Sequence, residues 1–339
     1  MARTVAAEPL PLLRITDLEA TMHQYGLSVV DVNNAGQVLS YRLGGHSGGP
    51  TFLWHPDAGV QMFRVRGATM VPTALNDAGL VTGQISRIGD TPTPYIWHPA
   101  KGLRLLSLSP GLSDGTPMAI NIHGQIAGFA NSDVLEVHAI VGSAKRGLFD
   151  PRPQQRGKSS AHAINAAGHV GGTTAAPMGC CTAAMLVREH GQVQMLGSLA
   201  RPGENDHSKV RGLNDADQVV GASEVGRKPH AFFWSEATSL FDLGLSPGDE
   251  DWSEALDINA LGQVVGDWGN ATRSSTFYWD AEHGGVDLND RLDPSDPLTP
   301  RTLIVSPFDF ARINDHGQIV TTAIIDGHYR PVLLSPVAP

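Results

Sequence analysis

The nine residues INALGQVVG at positions 258–266 decide the fold, because they recur. VNNAGQVLS, LNDAGLVTG, INIHGQIAG, INAAGHVGG, LNDADQVVG and INDHGQIVT repeat them, giving seven copies led by Asn33, Asn76, Asn121, Asn165, Asn214, Asn259 and Asn314. Consecutive leads are 43, 45, 44, 49, 45 and 55 positions apart, the period of four-stranded propeller blades. Asparagine in first place with glycine in fourth marks a tight turn between antiparallel strands. The asparagine side chain bonds its own backbone, and glycine accepts positive φ without a Cβ clash. In the fifth copy Asp217 replaces the glycine, and aspartate is among the few other residues that tolerate that conformation.

Outward from each copy the pattern continues. About twenty residues after each asparagine comes an apolar third strand: TFLW, PYIW, HAIV, AMLV, HAFFW, TFYW and PVLL. A fourth strand follows in six cases (GVQMF, GLRLL, RGLF, QVQML, SLFDL, GVDL) but not after the seventh, where the chain ends. Residues 13–18, LRITDL, have the pattern of the missing strand. They are expected to close the seventh blade as its outer strand, so that no sheet edge is left open. The expected architecture is all-β: one seven-bladed β-propeller over residues 1–339.

The two halves of the repeat, HAFFW at 230–234 and INALGQVVG at 258–266, resemble the HAF repeat family over nearly the whole chain. The resemblance implies a propeller whose role is mostly unassigned, and family members usually resemble exported proteins. The opening MARTVAAEPLPLL lacks the basic start and long apolar run of a secretory leader, and no 18-residue apolar stretch occurs. A soluble, cytoplasmic protein with no membrane association is therefore expected. Net charge of -10 argues against nucleic-acid binding, and 38 Gly and 23 Pro suit many short strands joined by turns. The two cysteines are adjacent, so they form no disulfide framework.

The turns after first and third strands are short and uniform, whereas the loops after second and fourth strands vary. Individual chemistry is expected over the channel on the variable side. Three groups of candidates stand out. Of the seven positions two places before a repeat asparagine, four hold Ala or Gly and three are charged: Asp31, Asp257 and Arg312 fall on blades one, six and seven, consecutive around the ring. An ion pair tying the closing blade to its neighbours is one reading, and a site with Asp257 as acid or base and Asp31 and Arg312 as substrate ligands is the other. Three places before the asparagine, His162 and Arg211 occupy adjacent blades four and five, with His207 just upstream. Such a group transfers protons or binds an anion, and His162 and His207 are the expected proton carriers.

The loop at 246–255 gathers Asp249, Glu250, Asp251, Trp252 and Glu254, with Trp252 and Glu254 suited to holding a ligand. Met178, Cys180 and Cys181 offer soft metal ligands at no recognised spacing, so no cofactor is expected. His138 and His230 belong to the repeat and are expected to be structural. The long connection at 289–310, with four prolines, reads as a lid, a contact for a protein partner, or a plain insertion. Two functions remain: a small-molecule enzyme of lyase, cyclase or hydrolase type with an asymmetric site at the channel mouth, or a non-catalytic ligand-binding or protein-interaction scaffold.

Overall fold

The computed structural model describes residues 8–42, 49–133, 136–152, 157–175, 181–201, 206–245, 251–307 and 310–337, without the side chain of His190. Each repeat asparagine ends the inner strand of one antiparallel sheet. The sheets of blades one to six begin at Leu27, Thr69, Leu112, Ser159, Ser208 and Trp252, each with four strands in chain order. Blade seven is closed as the sequence predicts. Leu13–Asp17 lies antiparallel to His328–Pro336, with Leu13 opposite Pro336 and Asp17 opposite Val332.

The turn chemistry accounts for the repeat at its first position. In blade one Gly36 N–H donates to Asn33 O at 2.9 Å, and Asn33 Oδ1 accepts from Gln37 N at 2.9 Å, with Gly36 at φ 74°. A second bond explains why asparagine, and not aspartate or serine, leads all seven copies. Asn33 Nδ2 donates to the carbonyl of Asn76 at 2.9 Å, Asn76 to Asn121 at 2.8 Å, Asn121 to Asn165 at 2.8 Å and Asn165 to Asn214 at 3.2 Å. Asn214 continues to Asn259 at 3.0 Å, Asn259 to Asn314 at 3.0 Å, and Asn314 returns to Asn33 at 2.9 Å. The seven buried side chains thus close a circle of hydrogen bonds around one end of the channel. A carboxylate has no donor and a serine hydroxyl has donor and acceptor on one atom, whereas the amide gives its oxygen to the turn and its nitrogen to the next blade.

Blade five departs from the repeat in a compensated way. Asp217, at φ 57°, stands where glycine is expected, and His169 of blade four stands where the other copies mostly have glutamine. In the regular case the glutamine lies against the glycine of the next blade, as Gln37 does at Gly79. Here His169 Nδ1 meets Asp217 Oδ1 at 2.8 Å, and Arg188 Nε donates to Asp217 Oδ2 at 2.9 Å. Those partners hold the Asp217 carboxyl below its usual range against the opposing effect of burial, which is the largest influence on it.

Neighbouring sheets pack face to face through a seam that one position largely fills. The residue opposite the fifth position after each asparagine is Trp54, Trp97, Gly142, Val187, Trp234, Trp279 and Leu334 in blades one to seven. Where it is tryptophan the indole enters the core shared with the preceding blade. Trp97 stacks on Phe63 at 4.0 Å, and Trp279 packs on Phe233 at 5.7 Å and Phe241 at 6.3 Å. The seam between blades three and four lacks an indole, and its core is small: Ala127, Ala139, Ala161 and Val170.

In the long connection, residues 291–296 clasp the closing strand. Asp296 Oδ2 accepts from Ile15 N at 2.8 Å, Asp293 N donates to Leu13 O at 2.9 Å, and Arg291 Nη2 reaches Pro11 O at 2.7 Å. Leu288, Leu292 and Ile304 join the core beneath it. Thr302–Val305 adds a strand to the last sheet.

Candidate functional site

Six inner strands carry the same irregularity, a shift of register three places before the asparagine. The extra residues are Val30, Thr73, Met118, His162, Arg211 and Leu256. A bulge re-aims its side chain and increases local twist. Just before the bulge, Ala161, Val210 and Ala255 are fully buried between blades. In blades four and five alternation then puts the residues five places before the asparagine on the channel side together with His162 and Arg211, whereas Leu256 of blade six is packed in the core.

In blades four, five and six this layer is Ser160, Lys209 and Glu254, and it meets His162 and Arg211. Ser160 Oγ lies 2.8 Å from His162 Nε2. Glu254, 7% exposed, accepts from Lys209 Nζ at 2.8 Å and from Arg211 Nε at 2.5 Å. His162 Nδ1 is buried without a hydrogen-bond partner. Burial, with Arg211 and Lys209 nearby, pushes the His162 imidazole down to about 4, so it is neutral at physiological pH. The cluster therefore combines a hydroxyl bonded to a neutral imidazole with two cations sharing one carboxylate.

The sequence placed His162 and Arg211 together and Glu254 in a separate acidic loop, whereas the structure joins all three. Ser160 and Lys209 were missed. Their signal was available: they stand in the same register position as Glu254, two places before the residues already singled out. Trp252 begins its strand two residues before Glu254, on the same side by alternation and half-buried. His207 sits apart, its Nδ1 accepting from Thr182 N at 3.1 Å, which ties blade five to blade four.

The charged trio of blades one, six and seven is bonded differently from the expected carboxylate–arginine–carboxylate arrangement. Asp31 accepts from Val32 N and from Leu75 N of blade two, both at 2.9 Å. Asp257 accepts from Ile258 N and from Ile313 N of blade seven, both at 2.9 Å. Arg312 donates to Ala311 O at 2.8 Å and covers the Phe310 ring at 5.3 Å. The carboxylates thus satisfy backbone donors on the open edges of neighbouring inner strands, and the guanidinium acts on them only through its field. Burial raises both carboxyls, Asp31 to about 7, against the opposing pull of Arg312.

These two shifts oppose one another in stability. His162 falls from 6.5 to about 4 in the fold, so its contribution is complete above about pH 6.5 and is lost as pH drops towards 4. Asp31 rises from 3.8 to about 7, so its contribution is complete below 3.8 and is lost as pH rises through 7. At about 1.4 kcal/mol for each pH unit by which a pKa moves, each swing is on the order of 4 kcal/mol. Relative to wild type, Asp31→Asn is expected to melt higher at pH 8 than at pH 4.5, and His162→Gln to show the reverse order. Parallel melting curves for either variant at both pH values would contradict the assignment.

His138 and His230 have the structural place the repeat implies: each Nδ1 lies 2.8 Å from a carboxylate on the following strand, Asp150 and Asp242. Of the soft-ligand group, Cys181 is buried, and Met178 and Cys180 lie outside the described residues, as do Asp249 and Glu250. Asp251 is half-buried. Among the described residues no three His, Cys, Asp or Glu side chains gather as a metal site, and no helix is long and apolar enough to cross a membrane.

Comparison with known proteins supports the architecture. No known family matches the chain. No curated protein matches it either. The β-propeller domain of the Trilobed protease from Pyrococcus furiosus superposes with a TM-score of 0.59 at 8% identity, covering 91% of this chain and 95% of that one. A prolyl endopeptidase structure superposes with a TM-score of 0.54 at 9% identity, covering 97% of this chain and 51% of the endopeptidase. A chain of the Mitotic Checkpoint Complex gives 0.51 at 11% identity, covering 100% and 99%. The likeness is one of fold: the chain is a seven-bladed β-propeller. The propeller of the Trilobed protease is described as having an open velcro topology, whereas here the seventh blade is closed by the N-terminal strand.

Proposed function

We propose that the chain is a small-molecule enzyme of hydrolase type, acting on an anionic ester or amide in the channel over blades four to six. The observation that carries this reading is the 2.8 Å contact between Ser160 Oγ and His162 Nε2 beside Lys209 and Arg211. In this reading Ser160 attacks the substrate carbonyl while His162 takes its proton and passes it to the leaving group. Water then releases the acyl group from Ser160, with the same proton carrier. Arg211 and Lys209 hold the substrate's anionic group, and Glu254 keeps both cations in place. A free imidazole depressed to about 4 is a weak base. Burial is the larger cause of that depression, and an anion seated on Arg211 and Lys209 cancels the charges that add to it, so basicity rises when substrate is bound.

The test is turnover of p-nitrophenyl esters bearing a second, free carboxylate. Ser160→Ala and His162→Asn are each expected to lower kcat by about a thousandfold, within the range for loss of acid–base or nucleophilic catalysis. Arg211→Met is expected mainly to raise KM, by about tenfold. Equal activity of wild type and Ser160→Ala would overturn the enzymatic reading. The low basicity of His162 favours one alternative, a non-catalytic binder of small anions. That alternative is distinguished by thermal stabilisation with dicarboxylates that Arg211→Met loses and Ser160→Ala keeps, without turnover by any form.

A further inference from the structure

We propose that the seam between blades three and four is a binding pocket for a planar aromatic carboxylate, separate from the channel cluster. A cavity of about 380 Å3 lies there, within the usual range of small-molecule pockets, roughly 300–1,000 Å3. Its cause is a substitution in the repeat. At four seams a tryptophan of the following blade fills the space; at this one the same register position is Val187.

The opposing wall is retained. In blade five the surface on which Trp279 packs is Phe233 and Phe241, paired across the third and fourth strands. In blade three the same pair is Val141 and Phe149. Both line the cavity, so it keeps an aromatic floor and lacks only the ring that would cover it. An apolar void of this size is not neutral: its walls forgo dispersion contacts that a ring in the vacant place restores.

The rim supplies the polar end of the ligand. Arg146 and Arg152 come from blade three and Arg188 and Glu189 from blade four. Arg188 is engaged with Asp217 and Glu236, each at 2.9 Å. Arg152 turns its Nη2 to Met185 Sδ at 3.4 Å, a weak acceptor for a guanidinium, and burial lowers its pKa despite the nearby Asp150. Arg146 is exposed at the rim. Two guanidiniums beside an apolar slot favour an anion carried on a flat ring, and guanidinium planes match carboxylates in a two-point contact.

The pocket opens beside the short turns after first and third strands, at Gly168, Ser143 and Gly191, and so on the opposite face from the channel cluster. The experiment is calorimetric titration of the whole chain with indole-3-acetate and 2-naphthoate, and with neutral 3-methylindole as control. Saturable binding of at least one acid is expected, with the neutral ring at least tenfold weaker. Val187→Trp, which supplies the residue found at four of the other seams, is expected to abolish binding and to raise the melting temperature. Arg152→Gln is expected to weaken the acids at least tenfold while leaving the neutral ring unchanged. No saturable binding of either acid at millimolar concentration, or unchanged binding by a folded Val187→Trp protein, would overturn the proposal. Activity of the Ser160 cluster is unaffected in every one of these outcomes, so the two sites stand or fall separately.

Discussion

Asn214→Asp is expected to cost about 3–5 kcal/mol at neutral pH, the range for a buried charge left without a partner. The substitution spares the turn, since an aspartate oxygen still accepts from Ala216 N and Gln218 N as Asn214 Oδ1 does at 3.1 and 3.0 Å. What it removes is the donor. Asn214 Nδ2 serves Asn259 O at 3.0 Å and Gln218 Oε1 at 2.7 Å, and a carboxylate would set a third oxygen against those two. Protonation restores one donor, so the deficit should shrink as the solution is acidified. Urea unfolding of both proteins at pH 7.5 and pH 4 measures it. An equal midpoint at pH 7.5 would mean that the hydrogen-bond circle contributes nothing to the fold.

A larger loss is expected on deleting residues 1–18. The deletion uncovers the outer edge of His328–Pro336 and removes Leu13, Ile15 and Leu18, which are 0%, 5% and 0% exposed. At roughly 1.5–3 kcal/mol per buried aliphatic side chain, these three alone approach the whole stability of an ordinary domain, about 5–15 kcal/mol. Asp296 would in addition be left in the core without the Ile15 amide. The truncated chain is expected to aggregate or to associate through its open edge, seen by light scattering. A synthetic peptide spanning residues 8–20 should bind that edge as an added strand and restore a monomer. A truncated protein that stays monomeric and melts like wild type would show that closure is dispensable.

The blades could be read from the chain because each is a local pattern with a local cause: a turn that needs Asn and Gly, then strands of fixed parity. The circle of asparagines could not be read so directly, since every bond in it joins residues 43 to 55 positions apart or, at the closure, Asn314 to Asn33. A trace existed nonetheless. A turn alone would accept aspartate or serine in some copies, and none of the seven has either.

The candidate site was half legible for a similar reason. His162 and Arg211 stood out because they occupy one register position, but the bulge beneath them is a tertiary feature. Only with it in view do Ser160, Lys209 and Glu254 fall into the same layer. Asp31, Asp257 and Arg312 show the opposite error. Their adjacency around the ring was read correctly, yet the carboxylates bond to Leu75 N and Ile313 N, because inner strands expose amides that a sequence does not mark as unsatisfied. The seam cavity escaped because it depends on an absence, a valine where four other blades have tryptophan.

The circle of asparagines also has a direction. Each blade gives a hydrogen bond to its successor and takes one from its predecessor, so the contact is head-to-tail and identical at every join. Such a surface does not count its members: geometry alone makes the seventh join meet the first. A blade is accordingly a transferable unit, and a sequence that adds or removes one whole repeat keeps every donor matched to an acceptor. The polar ring that marks each copy therefore does not itself fix how many copies the circle holds.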